Sequence, residues 1–130
     1  MKKRLKYCGI AFAVLLFLCA FLFIKQKNEI DHLRFSTVDL SQVEDGTYYG
    51  EENTTLVKAA VEVSIKDNKI KNITITKHDN GLGQKAEKIV GTMITKNTYE
   101  VDAISGATMS SQVIKRAVND ALARQQSAKN

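Results

Sequence analysis

The stretch "VEVSIKDNKIKNITITK", residues 61–77, decides how this chain is read. Val61, Val63 and Ile65 alternate with polar residues, the period of a strand with one buried face. The alternation stops at "KDNK" (66–69), a turn composition, and resumes at Ile73 and Ile75. Two alternating runs joined by so short a turn form a β-hairpin. Ile70 is out of phase with Ile73 and Ile75, which leaves two readings open: a bulge beside the turn resets the register, or Ile70 caps the end of the core.

Outward from the hairpin, the other elements follow from their own periods. Upstream, "DGTYYGEE" (45–52) is a turn at Asp45-Gly46 leading into a short strand, on which Tyr48 and Tyr49 point to opposite faces. Downstream, "QKAEKIVGTMITKN" (84–97) places Ala86, Ile89, Val90, Met93 and Ile94 at helical spacing with lysines opposite, despite Gly91. "YEVDAI" (99–104) is short and β-prone. The final run, 110–126, repeats the helical spacing in Val113, Ile114, Ala117, Val118, Ala121 and Leu122. The predicted order is β, ββ, α, β, α, an α+β domain in which an antiparallel hairpin sheet packs with two helices. Such a core serves roughly 80 residues and is marginal in size.

The N-terminal part cannot belong to that core. Tyr7 to Ile24 is a run of 18 residues without a charge, which as a helix spans about 27 Å, close to the hydrocarbon thickness of a bilayer. The run closes with "AFLFIKQK" rather than with the small residues of a signal-peptidase site, so it reads as a retained transmembrane anchor. Cys19 follows Leu16, Phe17 and Leu18, which is no lipobox. Lys2, Lys3, Arg4 and Lys6 precede the run and only Lys25 and Lys27 closely follow it, which places the N-terminus in the cytoplasm and the rest outside. The expected division is a cytoplasmic tip and anchor over 1–27, a stalk over 28–44 in which the helix could continue before becoming extended near Thr37, the domain over 45–124 and a frayed tail over 125–130.

Charge and cysteine usage exclude several classes of function. The net charge of +5 is confined to residues 1–27, which hold six Lys or Arg and no acids; residues 28–130 hold thirteen bases against fourteen acids. The exported part therefore lacks the basic patch that nucleic-acid binding requires. Cys8 and Cys19 both lie in the apolar run, about 16 Å apart along a helix, so they cannot bridge within one chain. No cysteine remains outside for a disulfide or a thiolate metal site.

One short segment carries more polar chemistry than its place requires. In "DAISGATMSS" (102–111) four hydroxyls, Ser105, Thr108, Ser110 and Ser111, crowd the approach to the last helix. Helix capping needs one of them, and Ser110 or Ser111 suffices. A nucleophilic role needs an oriented base, and outside the membrane there are only His32, in the stalk, and His78, read as a surface histidine. No catalytic residue is assigned. A third reading is an anion site: Ser105, Gly106 and Ala107 are small and leave backbone N–H groups approachable just before the positive end of a helix dipole.

"DAISGAT" (Asp102–Thr108) resembles the flavinylation motif of the FMN-binding domain family, found in subunits of Rnf-type and sodium-pumping NADH:quinone oxidoreductase complexes and in small exported flavoproteins. "DGTYYGEE", the "VEVSIKDNKIKNITI" hairpin and "GLG" (Gly81–Gly83) resemble the family's other landmarks in the same order, over roughly residues 40–124. The resemblance implies FMN joined through a phosphodiester to Thr108, installed by a flavin transferase that uses FAD and magnesium. It implies cofactor contacts from Ser105, Gly106, Ala107, Gly81, Leu82 and Gly83, and places Asp102, the motif's acidic residue, in the cofactor-binding site through transferase recognition or local architecture. It also implies electron transfer with a membrane donor such as a quinone-linked dehydrogenase or an Rnf-like complex. One departure stands out: where larger members have an acidic residue, a threonine and a proline before Gly-Leu-Gly, this chain has His78, Asp79 and Asn80. The rival reading is a membrane-tethered binding or scaffold module of the same fold with no flavin, in which Gly81–Gly83 merely close a loop onto the next helix and Asp102 is a solvated turn aspartate.

Overall fold

The computed structural model describes residues 2–79 and 83–128. A 30-residue helix, α1 (Lys2–Asp31), leads into a three-stranded antiparallel sheet of β1 (Gly46–Asn53), β2 (Lys58–Lys66) and β3 (Lys69–Asp79), in the order β1-β2-β3. A 3₁₀ stretch (Gly83–Lys88) runs into α2 (Ile89–Lys96), and α3 (Thr108–Ser127) completes the chain. α1 is long and apolar enough to cross a membrane, and most side chains of its apolar run are exposed, Phe17 at 76%.

The predicted hairpin is present and its turn explains itself. Asp67 and Asn68 both have left-handed φ, 53° and 60°, the geometry of a tight hairpin turn that Asp and Asn tolerate best. The register settles Ile70. Ser64 pairs with Asn72 but Ile65 pairs with Ile70, so Lys71 is the extra residue of a β-bulge. The bulge returns Ile70 to the inner face, where it is buried. Asn97, the left-handed C-cap of α2, locks this corner: its Oδ1 accepts the Ile70 N–H at 2.8 Å and its Nδ2 donates to the Asn68 carbonyl at 3.3 Å.

Both helices cover one face of the sheet. Val61, Val63, Ile65 and Ile73 meet Ile89 and Met93 of α2 and Val113, Ile114, Ala117, Val118, Ala121 and Leu122 of α3 in a single core. α3 crosses β1 so closely that a Cβ on Gly50 would lie 2.1 Å from the Ala117 carbonyl oxygen. Further along β1, the Glu51 N–H donates to Asp120 Oδ2 at 3.2 Å and Glu52 Oε2 lies 3.5 Å from Arg116 Nε. The contacts recede along α3 as β1 advances, so the two run antiparallel.

Four expectations are corrected. "YEVDAI" forms no strand: local bonds take up its backbone, Glu100 N–H to Thr98 Oγ1 at 3.0 Å and Val101 N–H to the Tyr99 carbonyl at 2.9 Å, while Tyr99 and Val101 bury their side chains. Residues 28–44 are no free stalk. The helix does continue into it, as far as Asp31, but Phe35 stacks on Tyr99 with ring centroids 6.1 Å apart and Val43 is part of the core. Ser36 is held on both sides, its N–H donating to Asn119 Oδ1 at 2.9 Å and its carbonyl accepting from Asn119 Nδ2 at 2.7 Å. This segment is a strap along α3. At the other end, where a frayed tail was expected from residue 125, α3 is helical to Ser127, with Gln126 Oε1 accepting the Asp39 N–H at 3.3 Å; residues 129–130 of that tail lie outside the described residues. Finally, α3 begins at Thr108, which leaves Ser110 and Ser111 inside its first turns instead of at its cap.

Candidate functional site: the loop into the last helix

The segment from Asp102 to Thr108 is a short loop pinned at two points. The Ala107 N–H donates to the Ile104 carbonyl at 3.0 Å, closing a turn whose central residues are Ser105 and Gly106. Gly106 has φ +77°, the left-handed conformation that a turn of this kind asks of its third residue. The Ile104 N–H in turn donates to Ser111 Oγ at 2.9 Å. Ala107 is buried and inserts the end of the loop into the core.

The four hydroxyls thereby separate into two pairs. Ser110 and Ser111 are buried, and Ser111 ties down the loop. Ser105 and Thr108 are exposed. The N-cap is Ala107, with no side-chain cap bond, so the Thr108 hydroxyl sits free at the first helical residue. The Ser111 N–H is bonded to the Ala107 carbonyl at 2.9 Å, whereas the N–H groups of Thr108, Met109 and Ser110 have no acceptor within the helix. A side chain built on Gly106 would meet nothing within 4 Å. An exposed hydroxyl, open backbone beside it and unbonded N–H groups fit a phosphate carried on Thr108.

The other expected site residues fall as follows. Asp102 is exposed and borders a surface cleft of about 370 Å³ together with Phe35, Tyr99, Glu100, Val101 and Lys115. Burial, and after it the Glu100 carboxylate, raises the Tyr99 hydroxyl above the ordinary tyrosine value. A smaller cleft of about 230 Å³ lies beside Leu122 and Asn97 and contains no residue of the motif. Gly83 opens the 3₁₀ stretch, which packs against α3. Gly81 and Leu82 lie outside the described residues. His78 is corrected: its side chain is only 2% exposed and its Nδ1 lies 3.0 Å from Glu87 Oε1. Tyr48 donates to the Glu44 carbonyl at 2.8 Å and Tyr49 to Glu51 Oε2 at 3.1 Å, both on the half of β1 that faces the far end of α3.

Phe35 and Lys115 went unnoticed in the sequence. Lys115 stands seven residues from Thr108, two turns along one face of α3, with its Nζ 5.8 Å from the centre of the Phe35 ring. The signal available for Phe35 was one aromatic side chain in an otherwise polar stretch.

The model of the FMN-binding domain matches residues 57–123, just over half of the chain. The chain belongs to the FMN-binding domain family. Within the matched span lie β2, β3, α2, the whole Asp102–Thr108 loop and α3 as far as Ala123. The fold of this FMN-binding domain is similar to the crystal structure of the CPE2226 protein from Clostridium perfringens, with a TM-score of 0.54 at 20% identity, over 67% of this chain and 92% of that one. No curated protein matches the chain.

Proposed function

We propose that the protein is a membrane-anchored, extracytoplasmic electron carrier that holds FMN covalently on Thr108. The observation carrying this reading is the position of that hydroxyl: exposed, first in α3, and released from capping because Ala107 is the N-cap while Ser111 secures the loop. Membership of an FMN-binding family supports the cofactor, and the lysine and arginine excess before α1's apolar run supports a cytoplasmic N-terminus.

Loading from FAD forms a bond between Thr108 Oγ1 and the FMN phosphorus, breaks the pyrophosphate of FAD and releases AMP, with the hydroxyl proton passing to solvent. An FAD-dependent flavin transferase is the partner that does this. Bound FMN supplies one- and two-electron transfer. The chain's own part is to present the hydroxyl, to keep Gly106 out of the way and to set the first-turn N–H groups beside the single phosphodiester charge. The helix dipole favours that charge by about 0.3–1 kcal/mol, a bias that orients the group while the covalent bond retains it. Asp102 and Lys115 border the cleft open to whatever is attached at this end of α3. The electron donor in this reading is a membrane component such as a quinone-linked dehydrogenase or an Rnf-like complex.

Intact mass tests the reading. Protein co-expressed with the transferase gains the mass of one FMN residue; Thr108→Ala loses that gain and Ser105→Ala keeps it. A chain of unaltered mass leaves a membrane-tethered binding module in place of a flavoprotein.

A further inference from the structure

The last turns of α1 are bolted to the domain. Gln26, two residues past the end of the apolar run, is fully buried and uses both ends of its amide: Nε2 donates to Thr54 Oγ1 at 2.8 Å and Oε1 accepts the Leu56 N–H at 2.7 Å. The Thr54 hydroxyl in turn donates to the Val57 carbonyl at 2.7 Å. One turn further on, Glu29 takes the Thr55 N–H at 2.6 Å and the Thr55 hydroxyl at 2.7 Å on its two carboxylate oxygens. Ile30 packs against the core and α1 touches α3. A flexible tether has no use for a buried, doubly bonded amide.

The contacts between β1 and α3 fix which end of the domain is gripped. β1 runs antiparallel to α3, with Gly50 against Ala117 and Ala121 and Glu52 against Arg116. The Thr54–Val57 turn therefore lies beyond the Arg116 level, toward the beginning of the helix. Thr108 lies about 12 Å along the axis from Arg116 in that same direction. The strap agrees: it leaves α1 and runs up α3 from Lys115, past Asn119, to Gln126. Gln26 is about 3 Å along the helix from Ile24, the last residue of the apolar run, so the gripped turn sits at the level of the lipid headgroups.

We propose that the Gln26–Glu29 clamp on the Thr54–Leu56 turn holds the domain upright on its anchor with the Thr108 end of α3 turned to the bilayer surface. The Asp67-Asn68 turn and the C-terminus of α3 point away from it. A redox partner reaching residue 108 is then one carried in the membrane, while the far end is what diffusing proteins meet. The inference rests on α1 spanning a bilayer and gives its meaning to a flavin on Thr108, but the geometry is independent of loading.

The test uses the unflavinylated full chain, with Cys8→Ser and Cys19→Ser, in phosphatidylcholine vesicles containing lipids with nitroxide headgroups in both leaflets. A fluorophore is attached through Thr108→Cys or, at the opposite end, Lys69→Cys. The expected result is quenching several-fold stronger at position 108 than at position 69, collapsing to near equality when Gln26→Ala and Glu29→Ala are added. Equal quenching with the clamp intact overturns the orientation, and a contrast that survives both alanines overturns the clamp as its cause. Because quencher is present in both leaflets, the outcome does not depend on insertion direction, and because no flavin is present, failure here is distinct from an unaltered intact mass.

Discussion

Gly50 and Ala117 are in backbone contact: a Cβ added to the glycine would fall 2.1 Å from the Ala117 carbonyl oxygen and 2.5 Å from the Ala121 nitrogen. Neither atom can move without shifting α3, because both belong to its backbone. This single approach sets the spacing between the sheet and the helix that begins at Thr108.

Gly50→Ala should therefore be among the most damaging small substitutions in the domain. Overpacking of this kind costs about 1–3 kcal/mol and more where backbone must yield. Thermal unfolding should show a fall of roughly 10 °C or more for a domain of this size, whereas Gly91→Ala, where an added Cβ meets nothing within 4 Å, should be neutral or stabilising. Equal melting temperatures for the two variants would mean that α3 does not press on β1 as described.

Asn119 secures the strap, and its loss should free it. The side chain is fully buried and bonds both the N–H and the carbonyl of Ser36. Asn119→Ala leaves the Ser36 N–H without its partner and the Ser36 carbonyl with the Tyr99 hydroxyl alone, at a cost of about 1–3 kcal/mol. Limited proteolysis should then cut at Arg34 at least several-fold faster than in the parent, while an unchanged rate would show that the Phe35–Tyr99 stack, the Tyr99–Ser36 bond and the buried Val43 hold the strap without Asn119.

What the sequence disclosed follows the range of the interactions. The hairpin was legible because alternation and an Asp-Asn turn are local, and both helices because their apolar stripes repeat within a few residues. The bulge at Lys71 left only a phase error, with nothing in the sequence to choose between a reset register and a capped core end. The strap could not be read at all: Ser36 and Asn119 are 83 residues apart, and Phe35 and Val43 each look solitary among polar neighbours. "YEVDAI" misled because Tyr99 and Val101 are β-prone residues that bury their side chains without finding a partner strand. At the motif, Thr108 could be singled out by resemblance, but the division of labour between it and Ser111 depends on where α3 starts, which single-sequence capping rules placed three or four residues late.

The Tyr99 hydroxyl links the strap to alkaline stability. It donates to the Ser36 carbonyl at 2.9 Å, and burial with the nearby Glu100 raises its pKa. The folded state thus favours the protonated phenol more than the unfolded chain does. That stabilisation is complete below the unfolded value near 10 and is lost as the pH rises through the higher folded value. Tyr99→Phe should cost about 1 kcal/mol at neutral pH and should remove this part of the alkaline loss. Unfolding midpoints from pH 8 to 11 would check it, with parallel curves for parent and variant counting against the bond.

Thr108 and Ser111 should separate chemistry from architecture. Thr108 is exposed and caps nothing, so Thr108→Ala should change stability by no more than about 0.5 kcal/mol while abolishing flavin loading. Ser111 is buried and accepts the Ile104 N–H, so Ser111→Ala should cost about 1–3 kcal/mol through the unpaired backbone group. Its acceptor hydroxyl at position 108 is intact, so loading should be slowed but not prevented. Following intact mass and melting temperature together distinguishes the cases. A Thr108→Ala protein that melts several degrees lower would give residue 108 a structural role and remove the argument that its hydroxyl is free, and a Ser111→Ala protein that never gains mass at full transferase exposure would move the attachment to the buried serine.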